Sequence, residues 1–165
     1  MPRKAEGTNI IFFIDKANVP AERWKDVTYG HVVVAYHPEK YDPYQTRLTV
    51  GGNLIAYPGK CSTPTVDLLT VKKLLSSVVS TPGAKFMTID IKDFYLNTPM
   101  SRYEYMRLKL CNIPEDVALH YNIESKVKSD GYVYTEIRCG MYRLPQSGLL
   151  AQQLLQMRLN AEGYS

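Results

Sequence analysis

Strand-like and helix-like segments follow one another in irregular order along this chain, and that order constrains the fold more than any other feature. The strand-like runs, rich in β-branched and aromatic residues, cover 27–36, 46–50, 103–110 and 132–139. Apolar residues at helical spacing predict helices over 65–80, 114–121 and 147–162. Strands and helices mixed in this way favour an α+β fold.

The chain has 165 residues, of which 45% are apolar, so one folded domain is expected. The apolar run 10–14 is too short for a signal peptide or a membrane span. The three cysteines form no Cys-x-x-Cys pair, which argues against a disulfide framework and a zinc site. We therefore expect an intracellular, cytoplasmic protein without a membrane partner. Residues 1–25 are left as an uncertain N-terminal segment before a domain at 26–165.

The net charge of +4 is distributed unevenly along the chain. Residues 1–60 carry +2, residues 61–113 carry +3, and residues 114–165 carry −1. A nucleic acid or a nucleotide is compatible with this balance, and so is an ordinary solvated surface of mixed charge.

One acidic residue interrupts the apolar run at 85–91, which predicts a mostly buried strand. Asp90 stands there between Ile89 and Ile91. A buried ionised carboxylate is costly unless something pairs with it, and a metal ion is one such partner. Alternatively, Asp90 lies at the end of the strand, exposed or bonded to a backbone amide.

Four motifs occur in a fixed order around this acidic residue. Thr46-Arg-Leu-Thr-Val-Gly-Gly52 and Ser62-Thr-Pro-Thr65 precede Asp90-Ile-Lys-Asp-Phe-Tyr95, and Leu-Pro-Gln-Ser-Gly148 leads into the last helix. With these motifs, the sequence from about Thr46 to Tyr164 resembles the reverse transcriptase domain of copia-like retrotransposon Pol polyproteins.

The resemblance implies a partial right-hand polymerase fold, with a fingers β-hairpin and an incomplete antiparallel palm sheet with packed helices. It implies an RNA-directed DNA polymerase whose substrates are an RNA or DNA template-primer and deoxynucleotide triphosphates. Integrase and RNase H domains are expected in cis. Two Mg²⁺ ions would hold the attacking and leaving oxygens in line, with Asp90 and the carbonyl of Ile91 as ligands.

The resemblance also places further residues at the nucleotide and the template: Arg47, Lys40, Asp93, Phe94, Tyr95, Gln146, Ser147 and Gly148. Arg47 would bind phosphate oxygens, since a guanidinium matches them in a fork geometry, and Lys40 would be a second contact. The amides of Asp93 and Phe94 would line the triphosphate pocket, with Tyr95 under the sugar.

The roles of the last motif also follow from the resemblance. Gln146 and Ser147 would contact the incoming nucleotide and the template, and Gly148 would let the template backbone pass closely. Without the resemblance, Tyr95 is an ordinary core tyrosine, Arg47 a surface cation and Ser147 a helix N-cap.

Two features depart from the family pattern. The chain contains no Asp-Asp pair, and Arg143 stands where this family's loop usually has glycine. A lone carboxylate holds two Mg²⁺ ions poorly, so the isolated chain is expected to be an inactive polymerase fragment. The alternatives are a non-catalytic nucleic-acid-binding relic of a decayed element, and an unrelated α+β domain.

Overall fold

A computed structural model describes residues 9–63 and 65–164 of the chain. Over these residues it is a mixed α+β structure with five strands in one sheet. The strands are β1 (Ile11–Ile14), β2 (Thr28–Tyr36), β3 (Tyr44–Val50), β4 (Pro99–Lys109) and β5 (Tyr132–Cys139). The helices are α1 (Leu68–Ser80), α2 (Glu115–His120) and α3 (Ser147–Ala161). The α+β class expected from the sequence is confirmed.

The sheet has the strand order β1-β5-β4-β2-β3, so β1 and β3 are its two edges. β5 pairs antiparallel with both β1 and β4, and β2 pairs antiparallel with β3. The contact of β2 with β4 is parallel and short, from Thr28 opposite Met106 to Tyr29 opposite Arg107. The strands β1, β5 and β4 thus form an antiparallel unit, and this parallel step joins the hairpin to it.

The strand-like runs predicted at 27–36 and 46–50 are confirmed as strands, and they pair as a β-hairpin. β2 and β3 pair from Gly30 opposite Val50 to Tyr36 opposite Tyr44. Valine and threonine side chains suit this pleated surface, and the proline- and aspartate-containing segment 37–43 closes the turn.

The main core lies on one face of β4 and β5 and continues into the loop before α3. Met106 and Ile137 are fully buried there, together with Val50, Met141 and Leu144. On the other face, a smaller buried cluster joins Val19 to Tyr105 and Tyr134. Part of the N-terminal segment 1–25, whose structure the sequence left uncertain, therefore packs against the rest of the protein. It contributes the edge strand β1 and Val19 of this cluster.

Helix α1 forms where its periodicity predicts. Its N-cap is Asp67, whose side chain accepts a hydrogen bond from the Thr70 amide at 2.9 Å. This bond holds the pKa of the Asp67 carboxyl below its usual range. None of the thirteen residues of α1, all described, is buried. The helix therefore lies on the surface.

The buried strand predicted over 85–91 is wrong. These residues form neither strand nor helix, and all of them, including Asp90, are exposed. Within the described part of the chain, they make no backbone hydrogen bond. An apolar run becomes a strand only where a neighbouring strand accepts its backbone groups, and here no described strand lies beside it.

Helix α3 begins one residue earlier than the sequence predicts from its cap. Gln146 is the capping residue, and Ser147 is the first residue of the helix. Gly163 has φ +85°, which explains why the helix ends there. Among the helices in the described ranges, none is long and apolar enough to cross a bilayer.

Candidate functional site

A cavity of about 710 Å³ lies between the two edges of the sheet. Because both β1 and β3 line it, the five-stranded sheet must curl until its edges face each other. Apolar side chains, among them Phe12, Phe13 and Leu48, make up much of the wall. Its volume is within the range of small-molecule sites in proteins.

Arg47 supplies a cationic group at this cavity. Its guanidinium lies 5.4 Å from the centre of the Tyr142 ring, and it donates one hydrogen bond to Gln45 Oε1 at 3.0 Å. The Arg47 side chain is exposed, so its other donors remain accessible to a ligand. Tyr142 thus holds the cation in place from the loop before α3.

The same ring connects Arg47 to the segment that follows Asp90. Tyr142 contacts Tyr95 edge-on at 5.8 Å between ring centres, and Tyr95 lies 5.7 Å from Phe94. Three distant parts of the sequence, at 47, 94–95 and 142, therefore meet in one row of side chains.

Glycine makes the approach of the two loops possible. A β-carbon on Gly140 would lie 2.5 Å from the carbonyl oxygen of Tyr95, which is closer than atoms can pack. The amide of Gly140 also donates to Thr98 O at 2.8 Å. The loop at 140–146 is thus joined directly to the turn at 92–98.

The residues after Asp90 are divided between two cavities. Asp93 lines the large cavity and has φ +54°, and its carbonyl accepts hydrogen bonds from the backbone and side chain of Asn97. Ile91 and Phe94 line a smaller cavity of about 90 Å³ beside α3. The large cavity therefore combines Arg47 with Asp93, two of the residues expected at the nucleotide.

Lys40 and Asp90 lie apart from this arrangement. Lys40 is exposed in the hairpin turn, and neither residue is among those that line the large cavity. Within the described residues, Asp90 belongs to no cluster of three or more His, Cys, Asp or Glu side chains. The donors present therefore do not fit a two-metal centre, and we derive no chemical step through Mg²⁺.

Gln146 and Ser147 are held inside the protein. Gln146 is 1% exposed, and its Nε2 donates to Glu104 Oε1 at 3.0 Å. Ser147 accepts a hydrogen bond from the Met141 amide at 3.1 Å, so it stabilises the loop. A ligand contact by either side chain would require it to leave these bonds. Gly148 lies near Tyr95, with space for a β-carbon.

Glu104 is the centre of a buried charge network that the sequence analysis missed. Both Arg23 and Arg102 contact its carboxylate, Arg102 at 3.1 Å. The same two arginines bind Asp26, at 3.0 and 2.9 Å. The network joins the 3-10 helix Ala21–Asp26 to β4, and Gln146 extends it to α3.

Burial raises the pKa of the Glu104 carboxyl, while the arginines oppose the shift. Glu104 lies in the strand-like run at 103–110, where the sequence analysis gave it no role, and it is fully buried. A signal was present, because Arg102 and Glu104 stand two residues apart, at the spacing that places both on one face of β4 with Met106. Two opposite charges on one apolar face indicate a buried pair.

The loop residue Arg143 supports a prediction about stability. It has φ +71°, a left-handed conformation that favours glycine. We expect Arg143→Gly to raise the free energy of unfolding by about 0.5–1 kcal/mol. Glycine relieves the strain of the left-handed conformation, and the larger backbone entropy that glycine loses on folding offsets part of this gain. Urea unfolding measures it. Arg143→Ala is the control, and an equal gain from alanine would assign the effect to the lost charge instead.

Fold and site together define an α+β structure with a curled sheet and a cavity at which Arg47 supplies an accessible guanidinium. Comparison of the chain with models of protein families, with curated proteins and with solved structures gives no match. Any function therefore has to be argued from the motifs and from the geometry of the cavity.

Proposed function

We propose that the chain is the fingers and first palm portion of a reverse transcriptase of a copia-like retrotransposon. The observation that carries the proposal is the position of the Tyr142 ring, which contacts Arg47 and also Tyr95. The motifs implied that the hairpin, the residues after Asp90 and the Leu-Pro-Gln loop share one site, and the row of contacts at 5.4 and 5.8 Å supports this.

In this proposal the large cavity receives the deoxynucleotide triphosphate. Arg47 would bind phosphate oxygens in a fork geometry, and the apolar wall formed by Phe12 and Leu48 would face the base. The charged groups at the cavity are Arg47, Lys126 and Asp93, with a sum of +1. This sum favours an anionic ligand only weakly, so we expect modest affinity.

The second candidate is a non-catalytic module that binds nucleic acid through phosphate contacts. It is favoured by the exposure of Asp90 and by the absence of an acidic cluster among the described residues. Such a module would bind single-stranded oligonucleotides in a salt-sensitive way and would not discriminate in favour of deoxynucleotide triphosphates.

Binding of a fluorescent deoxynucleotide, mant-dATP, tests the first candidate. We expect Arg47→Ala to weaken binding about 10-fold to 100-fold, because charge-assisted hydrogen bonds to the phosphates are lost. Arg107→Ala is the matched control, since this arginine also lies over a tyrosine ring, 4.8 Å from the centre of Tyr132, but does not line the cavity.

Equal affinities of the wild type and the Arg47→Ala variant would contradict the nucleotide site. Salt-sensitive oligonucleotide binding without mant-dATP binding would favour the second candidate. Primer extension by the isolated chain is expected to give no product. Mg²⁺-dependent synthesis that Asp90→Ala abolishes would show that this carboxylate supports catalysis without an Asp-Asp pair.

A further inference from the structure

The side chain of Lys16 lies against two aromatic rings, away from the large cavity. Its ammonium nitrogen is 5.6 Å from the centre of the Trp24 ring and 5.5 Å from the centre of the Tyr134 ring. The two rings meet edge-on, at 70° to each other and with 5.7 Å between their centres. They therefore form two walls around one positive charge, an arrangement that attracts cations through the electron-rich ring faces.

A carboxylate completes this arrangement. Asp130 Oδ2 accepts a hydrogen bond from the Lys16 ammonium and one from the Tyr134 hydroxyl, both at 3.2 Å. Asp130 Oδ1 accepts a third from the Tyr132 amide at 3.0 Å, and this bond is the main reason why the pKa of the Asp130 carboxyl lies below its usual range. The carboxylate is thus negatively charged at neutral pH. We call Trp24, Tyr134 and Asp130 together the Trp24 site.

The Trp24 site is held in shape by the fold. Trp24 belongs to the 3-10 helix Ala21–Asp26, Tyr134 belongs to β5, and Asp130 lies in the turn before β5. Tyr134 is 3% exposed and is part of the smaller buried cluster, so its ring is fixed. The rings and the carboxylate therefore need little rearrangement to receive a cation, which favours binding.

Lys16 fills the site only loosely. The side chains of Lys16 and Asp130 are 40% and 33% exposed, and an ion pair as exposed as this contributes little to stability. A primary ammonium is also strongly hydrated and sits on a flexible stem. A cation that carries methyl groups in place of N–H donors would gain contact with both rings and keep its charge beside the carboxylate.

We propose that the Trp24 site binds a quaternary ammonium group, and that Lys16 occupies the site in the free protein and moves out when such a ligand binds. Trp24 is 38% exposed, so the ligand can approach from solvent. The carboxylate and the ring faces supply negative charge that matches the cation. The inference is independent of the proposed polymerase function, because no residue of the Trp24 site is among those that line the large cavity.

Titration of the full chain with choline, at constant ionic strength, tests the proposal. The fluorescence of Trp24, the single tryptophan, reports binding. The neutral control ligand is 3,3-dimethylbutan-1-ol, which has the shape of choline with carbon in place of nitrogen. We expect the wild type to bind choline at least about 5-fold more tightly than this alcohol. Equal affinities for the two ligands, or no saturable change of fluorescence with choline, would overturn the proposal.

Lys16→Ala tests whether the lysine competes with the ligand. We expect this variant to bind choline about 10-fold more tightly than the wild type, because the site is then open all of the time. Lys25→Ala is the matched control, since it removes one positive charge from an exposed lysine next to Trp24 in the sequence. An equal gain from Lys25→Ala, or no gain from Lys16→Ala, would contradict the role of Lys16 as the internal occupant.

Asp130→Asn, made together with Lys16→Ala, tests the carboxylate. Asparagine keeps an oxygen that can accept the hydrogen bond from the Tyr132 amide, so the turn should be preserved. The loss of negative charge should raise the dissociation constant of choline about 3-fold to 10-fold and leave that of 3,3-dimethylbutan-1-ol unchanged. Circular dichroism checks that the variants are folded. Equal weakening of both ligands would show that charge is not recognised and would overturn the proposal.

Discussion

Replacement of Arg23 by methionine is expected to lower the free energy of unfolding at pH 7 by about 3–5 kcal/mol. Arg23 contacts both Glu104 and Asp26, and these carboxylates are 0% and 4% exposed. The substitution removes a positive charge and leaves two buried negative charges with only Arg102 as their partner. An uncompensated buried charge is among the most destabilising changes in a protein interior.

The loss of unfolding free energy caused by Arg23→Met should depend on pH, and its direction of change can be predicted. Burial raises the pKa of Glu104, so this group contributes stability that is fully present below its unfolded pKa of about 4.3. That contribution is lost as the pH rises through the folded pKa. Removal of Arg23 should raise the folded pKa further. The difference between wild type and variant should therefore be largest near pH 7 and should shrink towards pH 5.

Urea unfolding followed by the fluorescence of Trp24, the single tryptophan, measures both effects. Trp24 packs against Tyr134, with 5.7 Å between the ring centres, and so reports on the fold next to the network. Arg138→Met is the control, because Arg138 forms a more exposed ion pair with Glu136 and should cost less than about 1 kcal/mol. If Arg23→Met and Arg138→Met lower the free energy of unfolding equally, the buried charge network around Glu104 does not stabilise the fold more than an exposed ion pair does.

The second large effect is expected from Gly140→Ala, which should lower the free energy of unfolding by about 2–3 kcal/mol. The added β-carbon would lie 2.5 Å from the Tyr95 carbonyl oxygen, and backbone atoms cannot yield as a flexible side chain can. The turn at 92–98 would have to move away from the loop. Since Tyr95 contacts Tyr142, mant-dATP binding should weaken together with stability.

Gly148→Ala is the matched control at the other end of the same loop. A β-carbon there would meet Thr63 and Tyr95 at 3.7 and 4.0 Å, which are ordinary contacts. Because Gly148 lies in the first turn of α3, alanine should raise the free energy of unfolding by about 0.5 kcal/mol. Urea unfolding of both variants decides the question. If Gly140→Ala is as stable as the wild type, the two loops are not held together as described.

Much of the secondary structure could be predicted from short stretches of sequence. The hairpin of β2 and β3, the strand β5 and the helices α1 and α3 show their period over enough residues to be recognised locally. The motifs also indicated that Arg47 and the residues after Asp90 belong to one site. Arg47 and Asp93 do line the same cavity.

The structural predictions that failed concern segments whose conformation depends on contacts with residues distant in the sequence. The segment 85–91 has the pattern of a strand, but backbone groups need a neighbouring strand, and no described residue provides one. The role of Asp90 as a metal ligand remains a prediction: the side chain is exposed, and among the described residues it belongs to no cluster of three or more His, Cys, Asp or Glu side chains.

The sequence by itself determined which segments become strands and helices, because that depends on side-chain period and turn residues within a few positions. Only the tertiary structure decided that Glu104 is buried between Arg23 and Arg102, that the sheet edges curl around a cavity, and that none of the apolar residues of α1 is buried. These features arise from contacts between residues far apart along the chain. No local pattern reports the distance between such residues, because that distance is set by how the whole chain packs.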